Sequence, residues 1–457
     1  MKKPNIILIN CDDMGYGDLG CYGSAVNRTP AIDKLAREGT RFTDFYMASP
    51  VCSPSRGAML TGCYPPRISF GAFDGHAVLF PGQGVGLNPD EVTIASMLRA
   101  KGYRTKIIGK WHCGDQPEFL PLNYGFEEYY GLPYSNDMGR QAGRKNQYPP
   151  LPLIKDNTVI QQQPDQRALT ERYVEQALEF ITEHRGEPFF LYLAHMHVHL
   201  PLYAAERFAQ ESENGDYGAC MAGVDWSVEC LMHKLNEEGL IEDTLIIFTS
   251  DNGSRGDNGG SNAPLRGAKQ STWEGGMRVP FIMSLPGRIP AGRICSDIFA
   301  SIDLLPTIAA LCGADLPEAK IDGLDLSALC LGEAEADGFA CPQRRETFFY
   351  YRQNNLEAVR CGDWKLHMLK DGKKVRLLYN LADDISEAHN LYAGHPDIAA
   401  QLEKLAEGCR AELGDEAEAI QGTEIRPIGR VENAQALTEY DENHPYINAM
   451  YDKPEAG

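Results

Sequence analysis

Cys52 is the residue of this chain whose type and surroundings most clearly suggest a catalytic nucleophile. Cys52, Pro54 and Arg56 occupy alternate positions before a helix-like run over residues 57–60. Proline suits the first turn of a helix, so the pattern places Cys52 at a helix N-terminus, where free N–H groups favour negative charge. A cysteine held there can be an activated nucleophile facing an anion. The alternative is a buried structural cysteine before a helix.

Two pairs of oxygen-bearing side chains follow apolar runs that are typical of buried parallel strands. Asp12 and Asp13 follow the run over residues 5–10, and Asp251 and Asn252 follow a second run. Ligand sites in open α/β sheets lie at the carboxyl ends of the strands. Adjacent carboxylates repel each other, and their oxygens suit a hard cation. Either pair could also form an ordinary turn, because Asp, Asn and Gly favour turns.

Basic side chains follow two further predicted strands. Lys110 and His112 stand two residues apart after a strand predicted over residues 103–108, so both can project to one side. A lysine supplies a point charge and a histidine can exchange a proton near neutral pH. The alternative is a surface lysine and a structural histidine. Three histidines stand at alternate positions after a later predicted strand, namely His195, His197 and His199. Their spacing makes a zinc site an alternative interpretation.

In chain order, these motifs resemble those of the type I, formylglycine-dependent sulfatases. The shared elements are Asp-Asp, Cys-x-Pro-x-Arg, Gly-Lys-x-His, His-x-Pro, Asp-Asn-Gly and a Lys-x-x-x-x-Glu-Gly-Gly motif that begins at Lys269. Residues 131–138 resemble the arylsulfatase A branch. The resemblance runs from residue 5 to about residue 400. It implies the α/β fold of the alkaline phosphatase superfamily, with a large mixed, mostly parallel sheet flanked by helices.

From about residue 346 the sequence pattern changes to short predicted strands separated by tight turns, which predicts a second domain. Residues 1–345 form the predicted catalytic domain, and residues 346–457 the smaller one, with a short-stranded antiparallel sheet, a helix over 396–412 and an acidic tail. Two segments rich in Gly, Pro or polar residues, 64–92 and 139–164, are predicted to be loops near the site.

The resemblance implies that a separate maturation enzyme oxidises Cys52 to formylglycine, whose hydrate is the nucleophile. It also implies that the residue-52 oxygen joins Asp12, Asp13, Asp251 and Asn252 around one divalent cation. All-oxygen ligation favours Ca²⁺ or Mg²⁺ over zinc. Asp251 would accept the proton of the attacking hydroxyl.

Roles for the basic residues also follow from the resemblance. Lys269 and His199 would neutralise charge, and one of them would protonate the leaving oxygen. His112 would take the proton of the remaining hydroxyl, while Arg56 and Lys110 would hold residue 52. The residues expected to contact the sulfate are Lys110, Ser135, His199 and Lys269. His195 and His197 receive no catalytic role.

Composition limits the partners. Lys and Arg number 43 and Asp and Glu number 64, so the net charge is −21, which argues against nucleic acid and against an anionic membrane. A sulfate site therefore needs a local cluster of cations. No apolar run is long enough for a signal peptide or a membrane span, so we expect a cytoplasmic protein, or a periplasmic or secreted one if a leader has been removed. The thirteen cysteines form no regular framework, which favours reduced thiols.

The motifs together predict a sulfuric ester hydrolase acting on an aryl sulfate or a sulfated sugar, and the predicted location favours small imported sugars. One alternative is a phosphonate or phosphate ester hydrolase of the same superfamily. Another is a non-catalytic protein that binds sulfated sugars. The second would be expected to have lost metal-binding or cationic residues, and none is missing.

Overall fold

A ten-stranded mixed sheet forms the centre of the computed structural model, which describes residues 3–145, 147–210, 212–333, 343–443 and 451–457. All strands of the described residues, in this sheet and in the smaller ones, are β1 (Asn5–Cys11), β2 (Thr40–Phe42), β3 (Phe45–Tyr46), β4 (Val85–Gly86), β5 (Arg104–Lys110), β6 (Glu128–Leu132), β7 (Pro152–Lys155), β8 (Thr158–Gln162), β9 (Phe189–Ala194), β10 (Thr244–Ser250), β11 (Phe281–Ser284), β12 (Arg293–Cys295), β13 (Phe299–Ala300), β14 (Thr347–Arg352), β15 (Asn355–Cys361), β16 (Trp364–Lys370), β17 (Lys373–Asn380) and β18 (Gly429–Arg430). The large sheet has the order β12-β2-β11-β10-β1-β9-β5-β6-β7-β8.

Helices cover both faces of this sheet. They are α1 (Pro30–Arg37), α2 (Cys52–Thr61), α3 (Ile94–Ala100), α4 (Leu169–Glu183), α5 (Glu206–Ala209), α6 (Gly215–Glu237), α7 (Glu274–Met277), α8 (Leu304–Cys312), α9 (Ser327–Cys330) and α10 (Pro396–Leu413). Within the described ranges, no helix has both the length and the apolar character needed to cross a membrane.

Strand β1 shows why the central strands are apolar throughout. Ile6 and Leu8 pack into one core, together with residues of α2, α3 and α8, whereas Ile7 and Ile9 pack into a second core with α1, α4 and α6. Successive side chains of a strand point to opposite faces, so a strand with helices on both sides is apolar at every position. The continuous run after Asn5 reflects this double burial.

Five neighbouring strands, β10, β1, β9, β5 and β6, are parallel to one another. Their carboxyl ends therefore meet at one edge of the sheet. Backbone hydrogen bonds continue past the strand ends: the N–H of Asp12 donates to the carbonyl of His197 at 2.8 Å, and the N–H of Asp251 donates to the carbonyl of Cys11 at 3.0 Å. The residues that follow these strands are thus held side by side.

A four-stranded antiparallel sheet, β14-β15-β16-β17, carries α10 and packs on the main body. Phe348 and Tyr350 of β14 share a buried core with Tyr46 and with Ala58 of α2. The predicted fold, a large mixed sheet with a small antiparallel sheet and a helix, is confirmed. The division at residue 346 stays a prediction.

Two predictions about loops are wrong. Segment 139–164 contains the hairpin β7–β8, which pairs with β6 and extends the large sheet. Segment 64–92 is only partly at the surface, because Ile68, Phe70 and Phe73 are fully buried. These side chains are buried by tertiary packing of irregular backbone, which leaves no periodic pattern in the sequence. The tail after Gly414 folds back on this segment, where β18 pairs with β4.

A buried ionic cluster joins the small sheet to the main body. Lys365 of β16 lies 2.8 Å from Glu274 Oε1 and 3.0 Å from Glu387 Oε1, and the side chains of all three are fully buried. Its Nζ also donates to the carbonyl of Thr272 at 2.9 Å. Because Glu274 and Thr272 belong to the segment that follows Lys269, this cluster fixes that segment against the small sheet.

We expect the substitution Lys365→Met to lower the free energy of unfolding by about 3–5 kcal/mol, since it removes the buried cation that Glu274 and Glu387 share. The measurement is urea unfolding followed by intrinsic fluorescence. The matched control, Lys373→Met at an exposed position of β17, should change the free energy by less than about 0.5 kcal/mol. Equal losses in the two variants would contradict this role for the cluster.

Candidate active site

Helix α2 begins at Cys52, five residues before the helix-like run predicted over residues 57–60, and is capped by Gly62 in the left-handed conformation. Cys52 is buried at the N-terminus of the helix, as predicted. Burial raises the pKa of its thiol to about 11, although Lys110 and Lys269 act in the opposite direction. The helix end therefore does not activate the unmodified thiol, which stays protonated at neutral pH.

Arg56, one turn into α2, fixes the end of β10. Its guanidinium lies 2.7 Å from Asp251 Oδ2, and its Nη1 donates to the carbonyl of Lys110 at 2.9 Å. Ser55, which the sequence reasoning missed, donates its hydroxyl hydrogen to the carbonyl of Asp251 at 2.5 Å. The helix that carries Cys52 is thus tied to the ends of β10 and β5.

The predicted metal-binding residues lie together at the edge of the sheet. Asp13 Oδ2 accepts a hydrogen bond from Lys269 Nζ at 2.9 Å, and Asp13 Oδ1 accepts one from Asn252 Nδ2 at 2.7 Å. Asp12 Oδ2 accepts from Lys110 Nζ at 2.5 Å. In the described part of the chain, Asp12 Oδ1 and Asn252 Oδ1 are buried without any hydrogen-bond partner. Buried oxygens without donors are expected where a cation binds.

The ligand atoms of Asp12, Asp13 and His199 all lie within 4.8 Å of one another. Asp251 does not belong to this compact group, since its Oδ2 faces Arg56. Asp251 nevertheless touches it, because its Oδ1 accepts from the backbone N–H of Asp13 at 3.3 Å. His199 is therefore an additional neighbour of the candidate metal site, which the sequence reasoning assigned only to the sulfate.

The buried charges shift one another's protonation. Burial raises the pKa of Asp251 to about 7, and the neighbouring Asp12 adds to this rise. Burial also opposes the charge of Asp12, but Lys110, His199 and Arg56 outweigh it and hold the pKa of Asp12 below its ordinary value. Asp13 and Asp12 raise the pKa of Lys269 despite its burial. The site thus keeps its cations charged at neutral pH.

His112 follows β5 with a backbone φ of 58°, in the left-handed region. Its Nε2 lies 3.0 Å from the carbonyl oxygen of Leu79, which can only accept, so Nε2 carries the hydrogen. Its Nδ1 is buried and has no hydrogen-bond partner among the described residues. Burial and the charge of Lys110 hold the pKa of His112 well below its ordinary value. His112 is therefore a neutral base with a free lone pair.

His199 is oriented by acceptors on one side. Its Nδ1 lies 3.1 Å from Asn136 Oδ1 and 2.6 Å from the carbonyl oxygen of Leu200, so Nδ1 carries the hydrogen. Ser135 Oγ lies 3.3 Å from Nε2 and accepts from Lys110 Nζ at 3.0 Å. Ser135 thus links Lys110 to His199. Asn136 was missed, although it stands beside Ser135 in the sequence.

The side chains of the two remaining histidines lie outside this group of ligand atoms, although the carbonyl of His197 accepts a hydrogen bond from the N–H of Asp12. His195 Nε2 lies 2.9 Å from Ser227 Oγ of α6, and both His195 and His197 are buried. Among the residues that the structure describes, His195, His197 and His199 do not form a group of close metal-ligand atoms. The zinc alternative therefore has no support here.

The candidate site thus combines a buried cysteine at a helix N-terminus with carboxylates and fixed cations, all at one edge of a parallel sheet. Comparison with known proteins is decisive about its family. The family model described as Sulfatase matches residues 4–314, and a model described as N-sulphoglucosamine sulphohydrolase, C-terminal, matches residues 268–412. The chain belongs to the sulfatase family.

Among its relatives, this sulfatase is 38% identical over 453 residues to arylsulfatase A of Homo sapiens, with 88% of this chain and 87% of the relative covered. It is 40% identical over 385 residues to N-acetylgalactosamine-6-sulfatase of Canis lupus familiaris, with 80% and 72% covered. The crystal structure of PsFucS1 sulfatase from Pseudoalteromonas sp. superposes with a TM-score of 0.80 at 29% identity and covers 90% of each chain.

The sulfatase also shares its fold with a phosphonate monoester hydrolase of Agrobacterium radiobacter, at a TM-score of 0.64 and 19% identity, with 90% of this chain and 96% of the other covered. At that identity the likeness concerns the fold alone. The prediction of a sulfuric ester hydrolase is confirmed by the family and its relatives. Sulfatases of this family generally use a cation and a formylglycine.

Proposed function

We propose that this sulfatase hydrolyses small sulfate esters with a formylglycine derived from Cys52 and one divalent cation. The observation that carries the proposal is the surroundings of Cys52. Its thiol is buried and protonated, yet it stands within the electrostatic influence of Lys110, Lys269, Asp12 and Asp251. A protonated thiol is a poor nucleophile, so the cations and carboxylates around it are better explained by a different group at position 52.

A cation fits the buried oxygens of the site. Asp12 Oδ1 and Asn252 Oδ1 lack donors in the described chain, and together with Asp13 and Asp251 they would give a cation an all-oxygen ligand set. Such a set suits Ca²⁺ or Mg²⁺. When bound, the cation would polarise a sulfate oxygen and lower the pKa of a neighbouring hydroxyl group. We favour Ca²⁺, with Mg²⁺ as the alternative.

Formylglycine would supply, as its hydrate, one hydroxyl group that attacks sulfur and a second whose deprotonation expels the sulfate. A maturation enzyme is the partner that this requires. Asp251, whose pKa burial raises to about 7, is placed to accept the first proton while Arg56 holds its carboxylate. His112, neutral and with a free Nδ1, is suited to accept the second proton.

The leaving oxygen needs a proton, and Lys269 is favoured over His199 as its donor. The hydrogen of neutral His199 is on Nδ1, where Asn136 and Leu200 accept it, and burial and Lys269 lower the pKa of its ring. Nε2 therefore carries no hydrogen at neutral pH. Lys269 remains protonated. We assign His199 to orienting Ser135, whose hydroxyl lies 3.3 Å from its Nε2, and Lys110 and Ser135 to binding sulfate oxygens.

The substitution Lys269→Met is expected to lower kcat/KM by about 10²–10³-fold, because it removes the cation that stabilises charge in the transition state. Initial rates with 4-nitrophenyl sulfate provide the measurement. The matched control, Lys155→Met at an exposed position of β7, should leave the rate within experimental error of the parent. A Lys269→Met enzyme that retained more than about a third of the parent kcat/KM would exclude this role.

The proposal is tested by co-expressing the chain with a formylglycine-generating enzyme and measuring the mass of the peptide that contains Cys52. A loss of about 18 Da, together with sulfate release from 4-nitrophenyl sulfate, would support it. An unmodified Cys52 in an active enzyme would overturn the formylglycine proposal. Faster release of alcohol from a phosphonate monoester than from the sulfate would favour the phosphonate hydrolase alternative.

A further inference from the structure

Residues 451–457, here called the strap, lie across the candidate site. The strap is anchored at its start: Tyr451 is buried, and its carbonyl accepts a hydrogen bond from the N–H of Ala142 at 2.7 Å. Asp452 accepts from the hydroxyl of Tyr203 at 2.8 Å, and Lys453 Nζ lies 2.5 Å from Asp216 Oδ2. These contacts direct the following residues towards the sulfate-binding side chains.

The end of the strap lies against His199. The N–H of Gly457 donates to Asp137 Oδ2 at 3.2 Å, and Arg255 donates to the carbonyl oxygen of Ala456. A Cβ atom added to Gly457 would lie only 1.8 Å from His199 Nε2, so the backbone of this residue packs directly on the imidazole ring. The strap therefore fills the space in front of Nε2, which a bound sulfate ester would need.

Asp137 is the most informative of the groups that the strap contacts. It follows Ser135 and Asn136 in the chain, and its side chain is only 8% exposed. Its Oδ1 is buried and has no hydrogen-bond partner in the ranges that the structure describes. A buried carboxylate oxygen without a donor costs free energy, so this atom is expected to receive a hydrogen bond from a ligand.

We propose that Asp137 and Arg255 form a subsite for the hydroxyl groups of a sugar leaving group, and that residues 454–457 occupy it until a substrate displaces them. This rests on the proposed sulfatase activity. The strap offers the subsite one N–H donor and one carbonyl acceptor. A sugar hydroxyl can donate to Asp137 and another can accept from Arg255. An unsubstituted aryl or steryl leaving group can do neither, so the subsite selects sulfated sugars.

The variants Asp137→Asn and Arg255→Ala test the subsite with two probes, galactose 6-sulfate and 4-nitrophenyl sulfate. A site built to bind hydroxyl groups discriminates against substrates that lack them. Each substitution should therefore lower kcat/KM for the sugar sulfate at least about tenfold more than for the aryl sulfate. The control Arg185→Ala, at an exposed arginine after α4, should not change this ratio. Equal losses on the two substrates would overturn the proposal.

Deleting residues 454–457 tests the occupancy, and it retains the anchors at Tyr451 and Lys453. The deletion should lower KM for both substrates at least about threefold with little change in kcat, because it removes a competing intramolecular occupant. An unchanged KM would show that the strap does not compete. Both tests of the subsite compare variants with an active parent enzyme. If the parent itself released sulfate from neither probe, that result would refute the proposed function and not only the subsite.

Discussion

Replacing Cys52 with alanine is expected to lower kcat/KM for every sulfate ester by more than about 10⁴-fold, because the variant has no group that can attack sulfur. The rest of the site should remain assembled, since Arg56 and Ser55 make their contacts to Asp251 independently of the cysteine. Sulfate release measured by ion chromatography provides the assay. The matched control is Cys230→Ala, a half-buried cysteine of α6 that should retain the parent activity.

The substitution Cys52→Ser sharpens this prediction. Serine offers one hydroxyl group for the attack but lacks the second one, whose deprotonation expels the sulfate. The variant should therefore release at most one equivalent of alcohol per enzyme molecule and then stop. Steady turnover by Cys52→Ser would show that the second hydroxyl group is not needed, and substantial turnover by Cys52→Ala would show that residue 52 is not the nucleophile.

Adding Ca²⁺ to metal-free protein is expected to raise the Tm, and to raise it more at pH 8 than at pH 5.5. In the metal-free protein the pKa of Asp251 is about 7, above its ordinary value of 3.8. Between these two values the unfolded state has released its proton while folded Asp251 still retains it, so raising the pH through this window lowers the stability of the metal-free protein. A cation relieves the repulsion between carboxylates and needs them ionised, so it binds more tightly at the higher pH.

The size of the effect follows from mass action. At a Ca²⁺ concentration about one hundred times Kd, binding adds about 2.7 kcal/mol to the free energy of unfolding. Differential scanning fluorimetry at the two pH values gives the measurement, and Mg²⁺ in parallel compares the two ions. In the variant Asp251→Asn the difference between the two pH values should largely disappear. A Tm rise that is the same at pH 5.5 and pH 8 would contradict the raised pKa of Asp251.

The positions of the two candidate metal pairs could be predicted from the sequence because each pair directly follows a buried strand. The apolar runs before Asp12 and Asp251 are continuous, since helices cover both faces of the sheet, and the parallel order brings their ends together. Local sequence therefore predicted the edge of the sheet at which these residues lie, whereas their roles followed from the resemblance to the sulfatases. The pKa of Cys52 could not be predicted in this way, because burial by the assembled fold outweighs the nearby cations.

The features that were missed depend on distant parts of the chain. Asp137 and Arg255 meet the strap only in the folded structure, and their own neighbours in sequence give no sign of it. The burial of Phe70 is similar: a Cβ on Gly57 would lie 2.6 Å from its ring, so a glycine inside α2 admits this side chain. The edge hairpin β7–β8 was missed because its second strand is mostly exposed and lacks an apolar face.

Two functional side chains stand on backbone that most residues avoid, Asp13 with φ of 60° and His112 with φ of 58°. Each such conformation costs of order 1–3 kcal/mol for a residue with a side chain. The surrounding contacts hold both residues in place, so the chain gives up some stability at the positions where it does its chemistry. A glycine would remove this backbone cost, but at position 13 it would also leave the buried Lys269 and Asn252 without their partner, so the strain cannot be relieved there without a larger loss.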